Sequence, residues 1–154
     1  MRRLAFAVGA VIMLGCAKKE APPAEPPAPP PPPPAPAPIN LADVAGKWTV
    51  KVMGASSDSV LLTYTLTATA DTAGWNMMFP NRKAAVAVHV MASADSLIID
   101  AGPYESALRK GQQVTTHGSM HLAGGTLTGT TTAHYKTTKP DSVITLRMSG
   151  TKNP

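Results

Sequence analysis

The sequence predicts an all-β domain, an antiparallel meander of eight or nine strands, which follows a leader segment and a proline-rich linker. Between residues 39 and 154, apolar and polar residues alternate repeatedly with a period of two, and no segment keeps the 3.6-residue period of a helix. Threonine, which favours strands, is frequent on the polar side of these segments. Glycine, proline, asparagine or aspartate separates them at short intervals, so that consecutive strands should pair antiparallel.

Residues 1–15 have the pattern of a signal peptide, because a basic start precedes an apolar run over 4–14 that is shorter than the ~20 residues of a membrane span. The run ends in Met-Leu-Gly-Cys at 13–16, which resembles the lipobox of bacterial lipoproteins. The resemblance implies that Cys16 becomes the lipidated first residue and anchors the protein to a membrane. Ala17 then favours the outer membrane of the cell envelope. The alternative is an ordinary secretory signal with an incidental cysteine.

Residues 16–38 hold 12 of the 16 prolines and are predicted to be a disordered linker. Proline fixes φ and removes a backbone donor, so the tract can join neither helix nor sheet. An extended polyproline conformation rises ~3.1 Å per residue, which gives residues 21–38 a reach of about 55 Å. A spacer between membrane and domain is the favoured interpretation, and a ligand for a proline-recognition domain is the alternative. Residues 39–154 remain for one folded domain.

The elements of this domain follow from the alternation and the turn residues. Nine segments alternate, and the dipeptide Gly102-Pro103, read as a turn, separates the fifth from the sixth. The segments cover residues 46–53, 60–69, 75–79, 86–90, 97–99, 104–108, 113–122, 126–135 and 144–148.

One hairpin register can be derived from the sequence. If Gly124-Gly125 is a two-residue turn, Ala123 lies opposite Thr126 and the apolar residues of both strands meet on one face. The further predicted pairs are Leu122 with Leu127, Met120 with Gly129, Thr116 with Ala133, and Val114 with Tyr135.

Eight or nine strands in 116 residues close most simply into an up-and-down barrel, and a two-sheet sandwich is the alternative. Gly46-Lys47-Trp48, at the start of the first strand, resembles the Gly-X-Trp signature of lipocalins and their relatives. The resemblance implies a barrel whose end is closed by Trp48, packed against a basic residue of the last strand. Arg147 is the candidate for that residue, although the alternation places it on the outer face.

Counting nine strands, the sequence predicts one closed end and one open end. At the closed end, where the linker enters, three barrel-closing aromatic residues are expected: Trp48, Trp75 and Tyr135. The opposite mouth is expected to bind a ligand through Met77, Phe79, Ile99, Tyr104 and Met120. Small inward residues near it either leave room for this ligand or fit the taper of a packed barrel, namely Ser106, Gly118 and Gly129.

Charge and composition exclude several classes of function. The predicted domain carries ten Lys and Arg against seven Asp and Glu, a formal charge of +3 with no basic stripe, so no nucleic-acid partner is expected. Cys16 is the only cysteine, which excludes a disulfide and a thiolate zinc site within the domain. No metal and no cofactor are predicted, because the four histidines all have outward parity: His89, His117, His121 and His134.

No catalytic residues are predicted either. Asp100 and Glu105 lie on the outward parity, where solvated carboxylates do not acquire the raised pKa of a general acid. The leading hypothesis is therefore a non-enzymatic, membrane-anchored lipoprotein whose lipocalin-like barrel binds a small apolar or amphipathic ligand. The alternative is an envelope scaffold or interaction module with a packed barrel and a threonine-rich wall.

Overall fold

The computed structural model describes residues 38–154, which form one short helix and eight antiparallel strands closed into a barrel by pairing of the first strand with the last. The predicted all-β meander is confirmed, as a barrel and not a sandwich. The leader, Cys16 and all but the end of the linker lie outside the described residues. The elements are α1 Leu41–Val44, β1 Gly46–Gly54, β2 Val60–Ala68, β3 Asn76–Met78, β4 Val86–Ser93, β5 Ser96–Glu105, β6 Gln113–Ala123, β7 Thr126–Tyr135 and β8 Val143–Lys152.

The β6–β7 hairpin has the predicted register. Ala123 pairs with Thr126 across Gly124-Gly125, and the pairing continues without a shift to Val114 and Tyr135. Both turn glycines have positive φ, 57° and 78°, as a tight hairpin connection requires. The two-residue turn therefore determines which side chains of β6 and β7 face the interior.

The turn predicted at Gly102-Pro103 is wrong, and the strands number eight. β5 continues through this dipeptide with one extra residue, because Ala101 pairs with Thr116 and Tyr104 with Val114. Gly102 has a φ of 118°, and a Cβ placed there would lie 2.7 Å from the carbonyl oxygen of Val114. Only glycine fits this bulge against β6, so the dipeptide bends a strand without ending it.

The strand count changes which loops share an end of the barrel. The N-terminal end, where β1 begins, carries residues 69–75, 94–95 and 124–125. The opposite end, called the far end below, carries the other four connections, at 55–59, 79–85, 106–112 and 136–142. With Gly102-Pro103 read as a turn, loops 109–112 and 136–141 would lie beside the linker and the loop at 123–125 would lie at the mouth. The eight-strand order places the first two at the far end and the third at the N-terminal end.

The N-terminal half of the barrel is filled by large side chains. The indole N–H of Trp48 donates to the carbonyl of Val44 and that of Trp75 to the carbonyl of Asp71, each at 2.7 Å, so that both rings are buried without an unpaired donor. Helix α1 covers this end: Asn40 caps it and Val44 is fully buried. The most deeply buried large side chains all lie in this half, namely Trp48, Trp75, Leu66, Leu97, Met120, Leu127, Val44 and Val50.

The basic residue beside Trp48 is Lys152 and not Arg147. The Lys152 ammonium lies 5.6 Å from the centroid of the Trp48 ring, and the two residues are direct cross-strand partners. The guanidinium of Arg147 instead bonds the carboxylate of Asp58 at 2.8 Å, at the far end. Position 152 has the same parity as Met148, so the alternation already points Lys152 to the inner face.

The wall of the barrel is incomplete in the far half. Strand β3 has three residues and pairs with β2 only at 65–67, while β4 first pairs with β5 at Val88 and Ala101. Between the far halves of β2 and β5, residues 79–85 therefore take the place of paired strands. Among the described residues, no helix combines the length and the apolar character needed to cross a membrane.

Candidate functional site

A cavity of about 50 Å³ lies inside the far half of the barrel. All strands except β4 contribute to its wall, which is apolar apart from the hydroxyl groups of serine, threonine and tyrosine. Among the residues that line it are Val52, Leu62, Tyr64, Met77, Phe79, Ile99, Tyr104, Ser106, Leu108, Val114, Thr116, Gly118, Thr131, Ala133, Tyr135, Leu146 and Met148.

The structure brings four of the five predicted ligand-binding residues together at this cavity: Met77, Phe79, Ile99 and Tyr104. Met120 does not line it, and its side chain is fully buried in the N-terminal half. The reason is the direction of β6, which runs from the far end to the N-terminal end once Gly102 is inside β5.

The three predicted barrel-closing aromatic residues do not lie together. Trp48 and Trp75 are buried in the N-terminal half, as described above. Tyr135 ends β7 at the far end, lines the cavity, and has the Arg109 guanidinium 4.2 Å from its ring centroid. The same error in strand count that misplaced Met120 misplaced Tyr135.

Two of the smallest residues of β6 and β7, Gly118 and Ala133, line the cavity. A Cβ placed at Gly118 would lie 3.2 Å from the methyl group of Met148, which packs beside this glycine. The predicted small residue Gly129 has another role. A Cβ there would clash with the backbone of β6, only 2.7 Å from the Cα of Met120, so this glycine permits close strand contact and leaves no space. Of the small inward residues, Ser106 and Gly118 line the cavity and Gly129 does not.

The loop at 106–112 covers the far end of the barrel. The Ser106 hydroxyl accepts from the backbone N–H groups of Leu108 and Arg109, each at 3.1 Å, and lies 3.4 Å from the hydroxyl of Tyr135. The Arg109 guanidinium pairs with Asp141 at 2.8 Å and thereby connects this loop to the one between β7 and β8. Ser106, Ala107 and Leu108 of this loop line the cavity, so the loop packs over the far end, and the incomplete wall lies beside it.

Phe79 lies at this incomplete wall, between two tyrosines. Its ring centroid is 5.3 Å from that of Tyr64 on β2 and 5.7 Å from that of Tyr104 on β5. Burial raises the pKa of both tyrosines above the ordinary value of 10.0. The hydroxyl of Tyr64 donates to the sulfur of Met148 at 3.6 Å, so its oxygen can still accept a hydrogen bond next to apolar surface.

A groove of about 830 Å³ runs along the outside of the same wall. It shares four lining residues with the cavity, so that Phe79 and its neighbours separate the two spaces by one layer of side chains. The shared residues are Leu62, Phe79, Ser106 and Ala107. Charged residues occur only on the groove side, where they are Arg82, Lys83, Glu105 and Lys110.

The four histidines are exposed on the outer wall, on the predicted parity. The Nδ1 atom of His117 lies 2.6 Å from the Asp100 carboxylate, its partner across β5 and β6. Glu105 is used differently, since its carboxylate accepts from the backbone N–H of Gly111. Within residues 38–154, no three side chains of His, Cys, Asp or Glu are grouped closely enough to hold a metal ion.

Sequence reasoning missed the covering loop and the charged groove. Inward parity could have identified Leu146 and Met148 as cavity residues, since they flank the outward-facing Arg147 on the last strand. The positions of Arg82 and Lys110 could not be predicted from local pattern. That of Arg82 depends on how far β3 and β4 extend, and that of Lys110 depends on β5 continuing through Gly102-Pro103. The chain matches no protein-family model, and neither the curated proteins nor the solved structures give a match.

Proposed function

We propose that this protein is a non-catalytic lipoprotein of the bacterial envelope whose barrel binds a small apolar or amphipathic molecule. The observation that carries the proposal is the apolar cavity in the far half, separated from a surface groove by one layer of side chains that includes Phe79. Its described lining contains no carboxylate, imidazole or amine, which supports binding without catalysis. Apolar walls with a few hydroxyl groups are typical of sites for small organic molecules.

The volume of the cavity limits the size of the ligand that it can hold without a rearrangement of its wall. An engineered apolar cavity of ~150 Å³ binds benzene, whereas this one measures about 50 Å³. A longer apolar chain fits only if the Phe79 ring moves towards the groove, which joins the two spaces. We therefore assign Phe79 the role of a gate between groove and cavity.

The first test is native mass spectrometry of the chain purified with Cys16→Ser, which removes the lipidated thiol, followed by titration with 1-octanol. A retained small molecule, or octanol binding, supports the proposal. The variant Phe79→Ala opens the wall and should tighten octanol binding several-fold, because less apolar surface must be displaced. Met78→Ala is the matched control, since its neighbouring side chain points outward and lines neither space. A clean apo mass with no octanol binding, by the parent or by Phe79→Ala, would contradict the proposal.

The small volume of the cavity favours a second candidate, a scaffold or interaction module of the envelope. It predicts that no small molecule binds and that partners contact the threonine-rich outer wall. Capture of a defined envelope protein or glycan, lost on substitution of outer-wall threonines such as Thr130 and unaffected by Phe79→Ala, would support it over ligand binding.

Membrane attachment is the second part of the proposal and is supported by the sequence motif that ends at Cys16. Lipidation there anchors the chain stably, because several acyl chains hold a protein where one does not. Expression of the parent and of Cys16→Ser in a bacterium tests it. The parent should fractionate with membranes and carry the mass of the acyl chains, and the variant should not. Equal release of both chains into the soluble fraction would contradict lipidation.

A further inference from the structure

The two ends of the barrel differ in charge. Among the loops of the far end there are six basic residues against two aspartates, a formal excess of +4: Arg82, Lys83, Arg109, Lys110, Lys136 and Lys139 against Asp58 and Asp141. The loops of the N-terminal end contain two aspartates, Asp71 and Asp95, and no basic residue. Helix α1 adds Asp43 at this end, and Lys47 and Lys152 lie at the adjoining ends of β1 and β8. A field of this sign raises the local concentration of anions at the far end.

Both far-end aspartates already have basic partners. Asp141 bonds the guanidinium of Arg109 and Asp58 that of Arg147, each at 2.8 Å. The remaining carboxylate nearby, Glu105, accepts a hydrogen bond from the backbone of Gly111 at 3.0 Å. The excess positive charge of the far end is therefore not neutralised by ion pairs among the described residues.

Three of the basic residues line the groove together with Phe79. Arg82 and Lys83 come from the loop between β3 and β4, and Lys110 comes from the covering loop between β5 and β6. One guanidinium N–H of Arg82 donates to the carbonyl of Glu105 at 2.8 Å, which fixes its side chain at the rim. The guanidinium also lies 5.8 Å from the centroid of the Tyr104 ring, so Arg82 is held beside the wall that closes the cavity.

The groove thus presents cations directly above the wall that closes the apolar cavity. We propose that this lateral groove, and not the covered end of the barrel, is the entrance, and that it selects small amphipathic monoanions. The anionic group lies among Arg82, Lys83 and Lys110, and the apolar chain passes Phe79 into the cavity. This inference rests on the proposed function, and it adds the charge of the ligand and the place where it enters.

Each rim cation contributes modestly, because the groove is open to water and a surface ion pair is worth ~0 to 1 kcal/mol. Such a contribution corresponds to about a fivefold change in affinity at most. Three cations and one carboxylate, that of Glu105, line the groove, so its net charge is +2. A monoanion should therefore bind more tightly than a neutral molecule of the same chain length by about tenfold at low salt. The preference should shrink as salt rises, because rim charges are screened.

Three probes separate the possible outcomes: octanoate, 1-octanol and acetate, each titrated by calorimetry into the chain carrying Cys16→Ser. Octanoate should bind about tenfold more tightly than octanol, and acetate much more weakly than both. Octanol binding as tightly as octanoate would overturn the charge selection and leave the proposed function standing. Acetate binding as tightly as octanoate would show a plain anion site and overturn the amphipathic class. Binding of none of the three would contradict the proposed function itself.

Variants locate the anionic group. Lys83→Gln with Lys110→Gln should weaken octanoate binding about fivefold or more and leave octanol unchanged, since the apolar cavity is untouched. Lys47→Gln with Lys51→Gln removes the same charge from exposed positions on β1 that do not line the groove, and serves as the matched control. Equal effects of the two pairs on octanoate would overturn the proposed position of the anionic group.

Discussion

The two halves of this barrel are built from the same eight strands, but their interiors are packed differently. In the N-terminal half, two tryptophans and a short helix fill the interior, and the largest fully buried side chains are concentrated there. In the far half, Gly118 and Ala133 face the interior and a cavity remains. The wall of the barrel differs in the same way. Its strands pair continuously around the N-terminal half, and the pairing is interrupted beside Phe79 in the far half.

The difference separates a half of the barrel that contributes most to stability from the half in which we propose that a ligand binds. A closely packed interior contributes stability through the burial of apolar surface and through dispersion contacts. A cavity gives up some of those contacts, and a protein keeps such a region at the cost of stability when the space is used. The N-terminal half therefore contributes most of the packing energy, and the far half contains the space that the proposed ligand would occupy.

The largest expected difference between the halves concerns leucine truncation. Leu127→Ala should cost about 4 to 5 kcal/mol of the free energy of unfolding, near the top of the range for buried leucines, because its side chain is surrounded on all sides. Leu146→Ala, on the neighbouring strand, should cost about 2 to 3 kcal/mol because that side chain already faces a void. Urea denaturation measures both, and equal costs would contradict the unequal packing.

Enlarging an alanine should have opposite effects in the two halves. Ala68→Val in the packed half should cost about 1 to 3 kcal/mol through overpacking. Ala133→Val in the cavity wall should be neutral or stabilising by up to ~1 kcal/mol, since it fills space with apolar surface. Because both changes give a strand the same β-branched residue, they share the gain in strand propensity. Thermal unfolding measures the stability of both variants. A larger loss of stability in Ala133→Val than in Ala68→Val would contradict the unequal packing of the two halves.

Alkaline pH should lower the free energy of unfolding through two tyrosines in the far half. Burial raises the pKa of Tyr64 and Tyr104 in the folded state, so their contribution to stability is complete below pH 10 and declines as pH rises above it. Each tyrosine that stays protonated only in the folded state lowers the free energy of unfolding by ~1 kcal/mol per pH unit in that range. Unfolding from pH 8 to pH 11 measures this slope. The double variant Tyr64→Phe with Tyr104→Phe should flatten it, and an unchanged slope would contradict the assignment.

The smallest predicted effect concerns Lys152, at the N-terminal end of the barrel. Lys152→Met should cost about 0.5 to 1 kcal/mol, because it keeps an apolar side chain over Trp48 and removes the cation from the ring. Lys47→Met, at an exposed position of β1, controls for loss of a charge at the same end and should change little. Denaturant titrations that resolve half a kcal/mol can compare the unfolding free energies of the two variants. Equal losses would show that the cation over the Trp48 ring does not stabilise the protein.

Local sequence pattern was sufficient for most of the fold. Alternation with a period of two identifies the strands, and the Gly124-Gly125 turn fixes the β6–β7 register residue by residue. Helix α1 was not predicted, because its four residues are too few to show a helical period. Four of the five predicted ligand residues line the cavity because inward parity is a local property.

The remaining features of the site could not be predicted, because they depend on one contact between residues that are distant in the sequence. Gly102-Pro103 has the composition of a turn, and the close approach of the β6 backbone makes it a bulge within β5. Reading it as a turn reverses the direction of every later strand, which moved Met120, Tyr135 and the basic loops to the wrong ends. The charge difference between the ends becomes visible only when this direction is corrected.

The most direct test of the account is a spectrum of methionine methyl groups recorded while 1-octanol is added. Met77 and Met148 line the cavity, whereas Met120 is fully buried in the packed half, so one sample reports on both regions. The account predicts that the methyl signals of Met77 and Met148 shift and saturate together while that of Met120 stays in place. A shift confined to Met120, or no saturable shift at any of the three, would contradict a binding site in the far half.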